Sequence, residues 1–539
     1  MIESVSVKTL SGHYKIQWQF QDHKLNMDLT AVPQHELQSF DIIINFTQPI
    51  ASIRNHDYSW IKNDANSILN EFSPKIIRLT NGQLVQANTL QGIWEIKPKK
   101  NKQLLWRFNT KKSAPLAVYS GEGNIKKIVQ AYHQYDFSTM PALLFPVRQA
   151  VEFSRSENPF SAVVCFTDHC DYDTCENLVL QRNFFKDKGI KVTKGFFLNH
   201  YSKKQDNASF ENDADELSLW RDQGHELAYH SLSQSLKRSK EESFSDFENF
   251  KPPFGDLPTW IDHGFQPYNF SSFRQYNFSP KAMESTLKDK NIQLLWNCID
   301  CGTSAVGVIN QMNASDFTLR RFAEGNRHLP LSGKIGVMIK NIMFHHYADE
   351  TIILSYKMTA ANFKQLVYQK KISRLIPFVF NFLRLCGPLL TVFLRWQTAK
   401  NKPFKMAEYT PILFRHRISE EEFWFFQTVE MIDFKKSLMR ENIDKLIKEN
   451  GLCIAHTYFA VLKNYHKGKM FSSATAIDET VSANFDYLGE KIASGQIWNP
   501  TLKQLAAFLS NFEKAVLDVD PGGKIVIANA AHLPYRFVD

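Results

Sequence analysis

The first 125 residues show short runs in which apolar and polar side chains alternate. The alternation is clear over residues 14–20, 40–46 and 104–108. A period of two predicts strands with one buried face. Turn residues separate the runs, so the pattern predicts a sandwich-like, all-β accessory domain over residues 1–125.

Beyond this region the pattern changes to apolar runs separated by longer amphipathic segments. The apolar runs predict buried strands, and the segments between them predict helices. Successive strand–helix units are typical of α/β proteins with a parallel sheet or barrel. We therefore predict an α/β barrel built from residues 155–301 and 405–515, followed by a C-terminal β tail over 516–539. The clearest apolar runs lie at residues 162–167, 190–198 and 292–297.

Residues 302–404 interrupt this rhythm and are predicted to form a helical insertion. Their segment 375–394 is strongly apolar and is long enough to cross a bilayer, which takes about 20 residues. A central charge and helix breakers oppose a straight transmembrane helix. These residues are Arg384, Pro377, Gly387 and Pro388.

Three interpretations of segment 375–394 stay open. It is a buried helical hairpin or oligomer contact, an interfacial segment that makes peripheral membrane contact, or a transmembrane helix. The interfacial interpretation is supported by flanking basic residues, namely Lys370, Lys371, Arg374 and Arg395.

Side chains that can bind a metal or transfer a proton follow three predicted strands. The first strand ends in Asp168 and His169, a second ends at His230, and a late strand ends at His456. The carboxyl ends of parallel strands meet at one end of a barrel, where enzymes of this class place their active sites. The sequence therefore predicts a site at that end, with a divalent metal held between the strands.

These motifs resemble, in type and order, those of the polysaccharide deacetylase (chitooligosaccharide deacetylase homology) superfamily. The family pattern is a strand ending T-F-D-D-G, then G-H-E-x-x-x-H-[ST]-x-x-H, and a late L-x-H. Here the corresponding segments are residues 166–170, 224–234 and 454–456. The resemblance covers residues 155–301 and 405–510. It implies a distorted (β/α) barrel of about seven strands and the removal of acetyl groups from N-acetylated carbohydrates.

The resemblance also implies roles for single residues. Asp168 takes the place of the general base, and His456 that of the acid that protonates the leaving amine. His169 takes the place of an acidic metal ligand, and His230 that of the first metal histidine. The second metal histidine of the family falls on Gln234.

Because glutamine is a weak ligand for zinc, a third ligand must come from elsewhere. We predict His263 in that role, with Asp171 as the alternative. The cofactor implied is a divalent metal, with zinc as the predicted ion. His225 is predicted to be a structural residue of its strand.

Composition restricts the partners and the compartment. The chain has 539 residues, 43% of them hydrophobic, which predicts a globular protein of more than one domain. The net charge is +9, but the basic residues are spread along the chain, so no nucleic-acid partner is predicted. Residues 1–8 show no secretory signal, and the seven cysteines are predicted to be reduced. We therefore expect a cytoplasmic protein, with membrane association through residues 375–394 as a further expectation.

Three functions remain open at this point, and all involve a carbohydrate. The first is a metal-dependent hydrolase that removes an N-acetyl or similar acyl group from a sugar or polysaccharide. The second is a metal-free barrel that binds a glycan or a partner in polysaccharide assembly, which Gln234 favours. The third is a glycoside hydrolase, whose two carboxylates are Asp168 with Asp262 or Asp300.

Overall fold

The centre of the molecule is a closed barrel of seven parallel strands. The first barrel strand pairs with the second on one side and with the last on the other, which closes the sheet. The predicted parallel barrel is therefore confirmed. The structure, a computed structural model, describes residues 1–119, 126–130, 133, 135, 139–199, 207–230, 240–261, 280–461 and 469–539. The barrel strands are β1 (Ala162–Asp168), β2 (Thr193–Phe196), β3 (Glu226–His230), β4 (Thr259–Ile261), β5 (Leu294–Thr303), β6 (Glu421–Glu430) and β7 (Leu452–Thr457).

Every residue of β1 is buried, as expected for a parallel strand that is covered on both faces. Successive side chains point to opposite sides of a strand. Val163 and Cys165 belong to the core inside the barrel. Val164 and Phe166 pack against the outer helices. This alternation decides which polar side chains at the end of β1 face the interior.

Helices cover the outside of the barrel, and side chains fix where they begin. Thr174 accepts a hydrogen bond from the backbone N–H of Asn177 at the start of the helix after β1. Thr501 and Gln504 form a reciprocal capping box at the start of the last outer helix, which satisfies backbone donors that the helix leaves open. The outer helices are Cys175–Asp187, Phe210–Asp222, Lys240–Asn249, Pro280–Asp289, Phe434–Ser437, Arg440–Lys448, Glu479–Ala493 and Leu502–Leu509.

The amino-terminal region forms two antiparallel sheets that share one hydrophobic core. This confirms the predicted all-β domain, and Ala142–Leu144 adds a strand to it from beyond residue 125. In spatial order the first sheet contains His13–Lys15, Ile2–Thr9, Phe40–Phe46, Gln103–Phe108, Ile93–Ile96 and Ser67–Leu69. The second contains Gln17–Gln21, Lys24–Asp28, Ala142–Leu144, Leu84–Ala87, Ile76–Leu79, Ile50–Arg54 and Trp60–Lys62.

A buried arginine joins the β domain to the barrel. The guanidinium of Arg155 donates to the carbonyl oxygens of His56 and Phe72 in the β domain and of Asn450 before β7. Three backbone carbonyls thus receive hydrogen bonds from one planar cation. The two parts of the chain therefore share a buried polar contact.

The insertion after β5 is helical, as predicted. Its longest helix spans Leu375–Leu394 and continues through Pro388. Among the described residues, one segment, Ile372–Leu394, is long and apolar enough to cross a membrane. Most of this segment is exposed, so the interpretation as a buried hairpin is wrong. The insertion helices are Leu319–Gly325, Leu331–Asn341, Ile342–Tyr347, Glu350–Val367, Leu375–Leu394 and Trp396–Lys400.

The carboxyl-terminal residues are β strands outside the barrel. Val516–Val519 and Ile525–Asn529 form a hairpin. Tyr535–Val538 pairs with Ala150–Phe153, which leads into β1. The tail therefore closes against the segment that connects the β domain to the barrel.

Candidate metal centre

Two histidines and an aspartate meet at the carboxyl end of the barrel. His169 directly follows β1, His230 is the last residue of β3, and Asp171 lies two residues after His169. All three side chains are buried, and their ligand atoms lie within 4.8 Å of one another. These residues, His169, Asp171 and His230, are called the ligand cluster below. The cluster can hold a metal ion.

The distances within the ligand cluster suit a divalent ion. Nε2 of His230 lies 2.8 Å from Nδ1 of His169 and 3.8 Å from Oδ2 of Asp171. Zinc binds nitrogen and oxygen ligands at about 2.0–2.2 Å, so neighbouring ligand atoms of a tetrahedral site lie about 3.4 Å apart. The two observed distances bracket that value. Two imidazoles and one carboxylate also match the donor set of hydrolytic zinc sites, which keep a fourth position for water.

A buried lysine holds both ends of the loop that carries two of these ligands. Nζ of Lys194 on β2 contacts the carboxylates of Asp168 and Asp173, and it donates to Oε1 of Gln181 at 3.1 Å. An ammonium group has three donors, and three acceptor oxygens surround this one. Because Asp168 and Asp173 bracket residues 169–172, a single cation fixes the loop at both ends.

The charge on this lysine is maintained by its surroundings. Burial opposes the positive charge on Lys194, but the carboxylates of Asp168 and Asp173 outweigh burial and raise the pKa of the ammonium group. None of the three side chains has exposed surface. A buried pair of this kind is stable only while both partners are present.

Asp168 faces the helices rather than the interior of the barrel. It lies on the same side of β1 as Phe166, which packs against the outer helices. Its Oδ1 accepts hydrogen bonds from Oγ1 of Thr457 and the backbone N–H of Phe459, both at 2.9 Å. Its Oδ2 accepts from Lys194. Both oxygens are therefore engaged, and neither is directed at the ligand cluster.

β2 passes close to its two neighbouring strands because residue 195 is a glycine. A Cβ at Gly195 would lie 2.9 Å from the carbonyl oxygen of Asp168 and 3.0 Å from Cβ of His230. The backbone oxygen cannot move away without shifting β1. The missing side chain therefore gives His230 the space to reach the ligand cluster.

A histidine–aspartate pair lies beside the ligand cluster. Nδ1 of His456 on β7 lies 3.1 and 3.2 Å from the two carboxylate oxygens of Asp300 on β5. An ionised carboxylate only accepts hydrogen bonds, so Nδ1 donates its proton to Asp300. Nε2 of His456 is buried and has no hydrogen-bond partner in the part of the chain that the structure describes. The ring stacks on His169 with centroids 4.1 Å apart.

An irregularity in β5 positions Asp300. Trp296 lies opposite Phe426 and Asp300 opposite Thr428, so four steps along β5 match two steps along β6. Cys298, within the bulge, has a φ of 60°, which is uncommon for residues other than glycine. A β-bulge re-aims the side chains beside it.

The bulge lets the hydrogen bonds of the pair continue into the barrel wall. Oγ1 of Thr428 donates to Oδ1 of Asp300 at 2.7 Å. Nε1 of Trp296 in turn donates to Oγ1 of Thr428 at 3.0 Å. The orientation of His456 is thus fixed by a chain of three hydrogen bonds, which begins at a fully buried tryptophan.

The structure brings most of the sequence-predicted site residues to one end of the barrel. Asp171, the alternative third ligand, lies with His169 and His230. His263, our first choice for that ligand, lies outside the described residues, and its role stays a prediction. Gln234 and Asp262 also lie outside the described residues. The predicted residues that come together are Asp168, His169, His230 and His456.

Sequence reasoning missed Lys194 and the pairing of Asp300 with His456. A signal for Lys194 was present, because a lysine stands within the otherwise apolar run 192–198. Such a residue in a buried strand needs a buried partner. The bulge that aligns Asp300 has no comparable signal in the sequence.

His225 lies away from the ligand cluster, at the start of the strand rather than at its end. Its Nδ1 accepts a hydrogen bond from the backbone N–H of Val192 at 3.2 Å. Its ring packs against Trp220 with centroids 4.6 Å apart. Burial, together with the charge of Arg182, lowers the pKa of His225 to about 4.

No family model and no curated protein matches this chain. Among solved structures, the chain is similar to a xylosidase from Aspergillus niger at 12% sequence identity and a TM-score of 0.18. The match covers 54% of this chain and 39% of the xylosidase, so it spans less than half of that protein. A likeness at this level carries no inference about function.

Asp168→Asn is expected to lower the free energy of unfolding by about 3–5 kcal/mol, because it leaves Lys194 buried with one carboxylate removed. Denaturant unfolding measures the change. The control is Glu421→Gln, which removes the partner of Lys288 at an ion pair exposed on both sides and is expected to have little effect on the free energy of unfolding. An Asp168→Asn protein as stable as wild type but without hydrolytic activity would instead support the general-base role.

The low pKa of His225 predicts a loss of stability in mild acid. The unfolded chain takes up a proton near the ordinary pKa of about 6.5, whereas folded His225 does so only near 4. The free energy of unfolding should therefore fall as the pH decreases from about 6.5 to 4, by up to about 1.4 kcal/mol per pH unit.

Denaturant unfolding at a series of pH values tests this expectation. In His225→Asn the decrease should be smaller than in the wild type, because the new side chain does not titrate. The matched control, His35→Asn, changes a surface histidine of the β domain and should keep the wild-type decrease. If the free energy of unfolding depends on pH equally in the wild type and in His225→Asn, the low pKa of folded His225 is contradicted.

Proposed function

We propose that this chain is a metal-dependent hydrolase that removes an N-acetyl or similar acyl group from a sugar or polysaccharide. The observation that carries the proposal is the contact between the ligand cluster and the His456–Asp300 pair. A metal site and a histidine that can transfer a proton are two elements that metal-dependent amide hydrolysis uses. The substrate class rests on the order of motifs that the chain shares with polysaccharide deacetylases.

In this proposal His169, Asp171 and His230 hold the ion, which we propose to be zinc. A zinc ion bound there would polarise the acyl carbonyl and lower the pKa of a water toward about 7. Asp171 replaces His263 as the proposed third ligand, because it already lies within reach of both histidines.

His456 is the proposed acid–base residue and moves the proton at Nε2. Asp300 orients the ring through Nδ1, as the aspartate does in other histidine–aspartate pairs. The rings of Trp296 and Tyr458 lie 4.7 and 5.0 Å from the ring of His456. They shield the histidine from solvent, which strengthens its interaction with Asp300.

We propose a positioning role for Asp168 in place of the general-base role that the resemblance implies. Its two oxygens already accept from Lys194, Thr457 and Phe459. To accept a proton from a water, the carboxylate would have to give up one of these buried partners. Its contribution is to hold the loop of residues 169–172, which carries His169 and Asp171, in place through Lys194.

The two alternative functions have less support. A metal-free binding barrel does not require a buried cluster of three potential ligands. A glycoside hydrolase needs two carboxylates on either side of the scissile bond, about 5–10 Å apart. Asp168 is fully buried with both oxygens engaged, and Asp262 lies outside the described residues.

Purified wild-type protein is expected to contain close to one divalent ion per chain, measured by elemental mass spectrometry. His230→Ala should lose the ion, because it removes a ligand that lies 2.8 Å from His169 and 3.8 Å from Asp171. The matched control is His225→Gln, five residues earlier, which should retain the metal. Absence of metal from the wild type, even after loading with zinc or cobalt, would favour the metal-free binding barrel and a test on glycan arrays.

His456→Gln is expected to lower kcat by about 10²–10⁴-fold, the usual contribution of an acid–base residue, while the metal content stays at the wild-type level. The assay measures acetate released from N-acetylglucosamine oligosaccharides. His13→Gln, at the surface of the β domain, is the control and should be fully active. Full activity of His456→Gln would remove this residue from the mechanism.

A further inference from the structure

Two helices of the insertion form an antiparallel hairpin. Glu350–Val367 and Leu375–Leu394 are joined by residues 368–374 and pack against each other. The rings of Phe363 and Phe378 meet across them, with centroids 5.8 Å apart. These two helices and their connection, residues 350–394, are called the apolar hairpin below.

The apolar hairpin exposes many large hydrophobic side chains, and the positions that its first helix buries are polar. Ile376 is 81% exposed, Leu394 77% and Leu383 61%. The buried positions of the first helix are instead polar and follow one helix face at spacings of four and three. These positions are Ser355, Thr359 and Asn362.

The second helix covers Asn381, which is 3% exposed, together with the apolar Leu385 and Val392. Two of the covered polar side chains donate hydrogen bonds within their own helices. Oγ1 of Thr359 donates to the carbonyl oxygen of Ser355 at 2.7 Å, and Nδ2 of Asn381 donates to that of Pro377 at 2.8 Å.

This distribution of polar and apolar side chains is the reverse of the one expected for helices in water. A helix at the surface of a soluble protein turns its apolar stripe toward the core and its polar face toward the solvent. Helices packed in lipid place small and polar residues at their contact and turn apolar side chains outward. The exposed face of the apolar hairpin therefore matches a hydrocarbon environment.

The basic residues in and around the hairpin indicate which kind of lipid it would bind. From residue 351 to residue 407 the chain contains ten basic residues and no acidic one. Anionic lipid surfaces attract such segments by about 1 kcal/mol per basic residue near the surface. The ten residues are Lys357, Lys364, Lys370, Lys371, Arg374, Arg384, Arg395, Lys400, Lys402 and Lys405.

The positions of these charges indicate a hairpin that lies along the membrane and does not cross it. Three basic residues cluster at the turn, within 370–374, and three follow the hairpin, within 400–405. Crossing would carry one of these clusters through the hydrocarbon, which is costly. Arg384, halfway along the second helix, is exposed and lies over the ring of Phe380 at 4.3 Å, so its long side chain can reach the headgroups.

We infer that the apolar hairpin binds the surface of an anionic lipid bilayer, with its apolar face at the boundary between headgroups and acyl chains. The basic residues at its two ends then lie among the headgroups. This inference rests on the insertion alone and does not depend on the proposed hydrolase activity.

The insertion that carries the hairpin is attached to the end of the barrel that holds the ligand cluster. Nζ of Lys340, in the helix Leu331–Asn341, lies 2.8 and 2.9 Å from the carboxylate oxygens of Glu430. Glu430 is the last residue of β6 and pairs in register with His456. Membrane binding would therefore hold the candidate site close to the lipid surface.

Vesicle flotation of the full chain tests the inference. The wild type should float with phosphatidylcholine vesicles that contain about 30% phosphatidylglycerol, and it should float poorly with phosphatidylcholine alone. Ile376→Glu together with Leu383→Glu should abolish flotation, because both side chains belong to the exposed apolar face. The matched control, Leu10→Glu with Val147→Glu, changes two exposed apolar residues elsewhere and should float like the wild type.

A second variant tests the charge. Replacing Lys370, Lys371 and Arg374 by glutamine should lower the partition coefficient onto anionic vesicles by about 100-fold. Circular dichroism and thermal unfolding establish that each variant is folded before flotation.

Two results would overturn the inference. The first is a wild type that floats with neither kind of vesicle, or with both equally well. The second is a folded dimer in light scattering that the Ile376→Glu and Leu383→Glu changes dissociate, without any binding of lipid by the wild type. That result would assign the apolar face to a second copy of the chain.

Discussion

The contact on which the site depends is the buried ammonium group of Lys194. It meets the carboxylates of Asp168 and Asp173, which stand at the two ends of the loop with His169 and Asp171. A charged group with no exposed surface is stable only with all its donors satisfied, and here Gln181 supplies the third acceptor. These contacts tie both ends of the loop to β2, and the loop carries two of the three ligands. Preorganisation of this kind is what a metal site needs from the surrounding protein.

The period of two along β1 explains how neighbouring residues serve different purposes. Val163 and Cys165 face the interior of the barrel, and His169, an even number of steps further on, joins the interior side. Asp168 falls on the other side, among the residues that contact the outer helices. In the motif of the polysaccharide deacetylases, two adjacent acidic residues act in one reaction. In this chain the second position is a histidine at the ligand cluster, and the first position anchors the loop.

The insertion follows a different physical rule from the rest of the chain. In the barrel and the β domain, large apolar clusters are buried, and the buried ammonium group of Lys194 has anionic partners. In the apolar hairpin the order is reversed, with Asn381 covered and Ile376 exposed. Exposed apolar side chains are unfavourable in water and favourable in lipid. The chain therefore combines a barrel and a β domain suited to water with a hairpin suited to lipid. The insertion that carries the hairpin contacts the barrel near the carboxyl ends of its strands.

The sequence by itself determined the kinds of elements and their order. Alternation marked the strands of the β domain, apolar runs marked β1, β2 and β5, and the position of polar residues after those runs located the site at the strand ends. It also supplied His169, His230 and His456, and Asp171 as a second choice. These features are local, since periodicity and strand ends are properties of short segments.

Only the tertiary structure decided which side chains are partners. The pairing of Lys194 with Asp168, of Asp300 with His456, and the exposure of residues 375–394 depend on side chains far apart in the chain. Strand register, a bulge at Cys298 and the missing side chain of Gly195 bring these groups into contact, and a single sequence does not encode those distances in any local pattern.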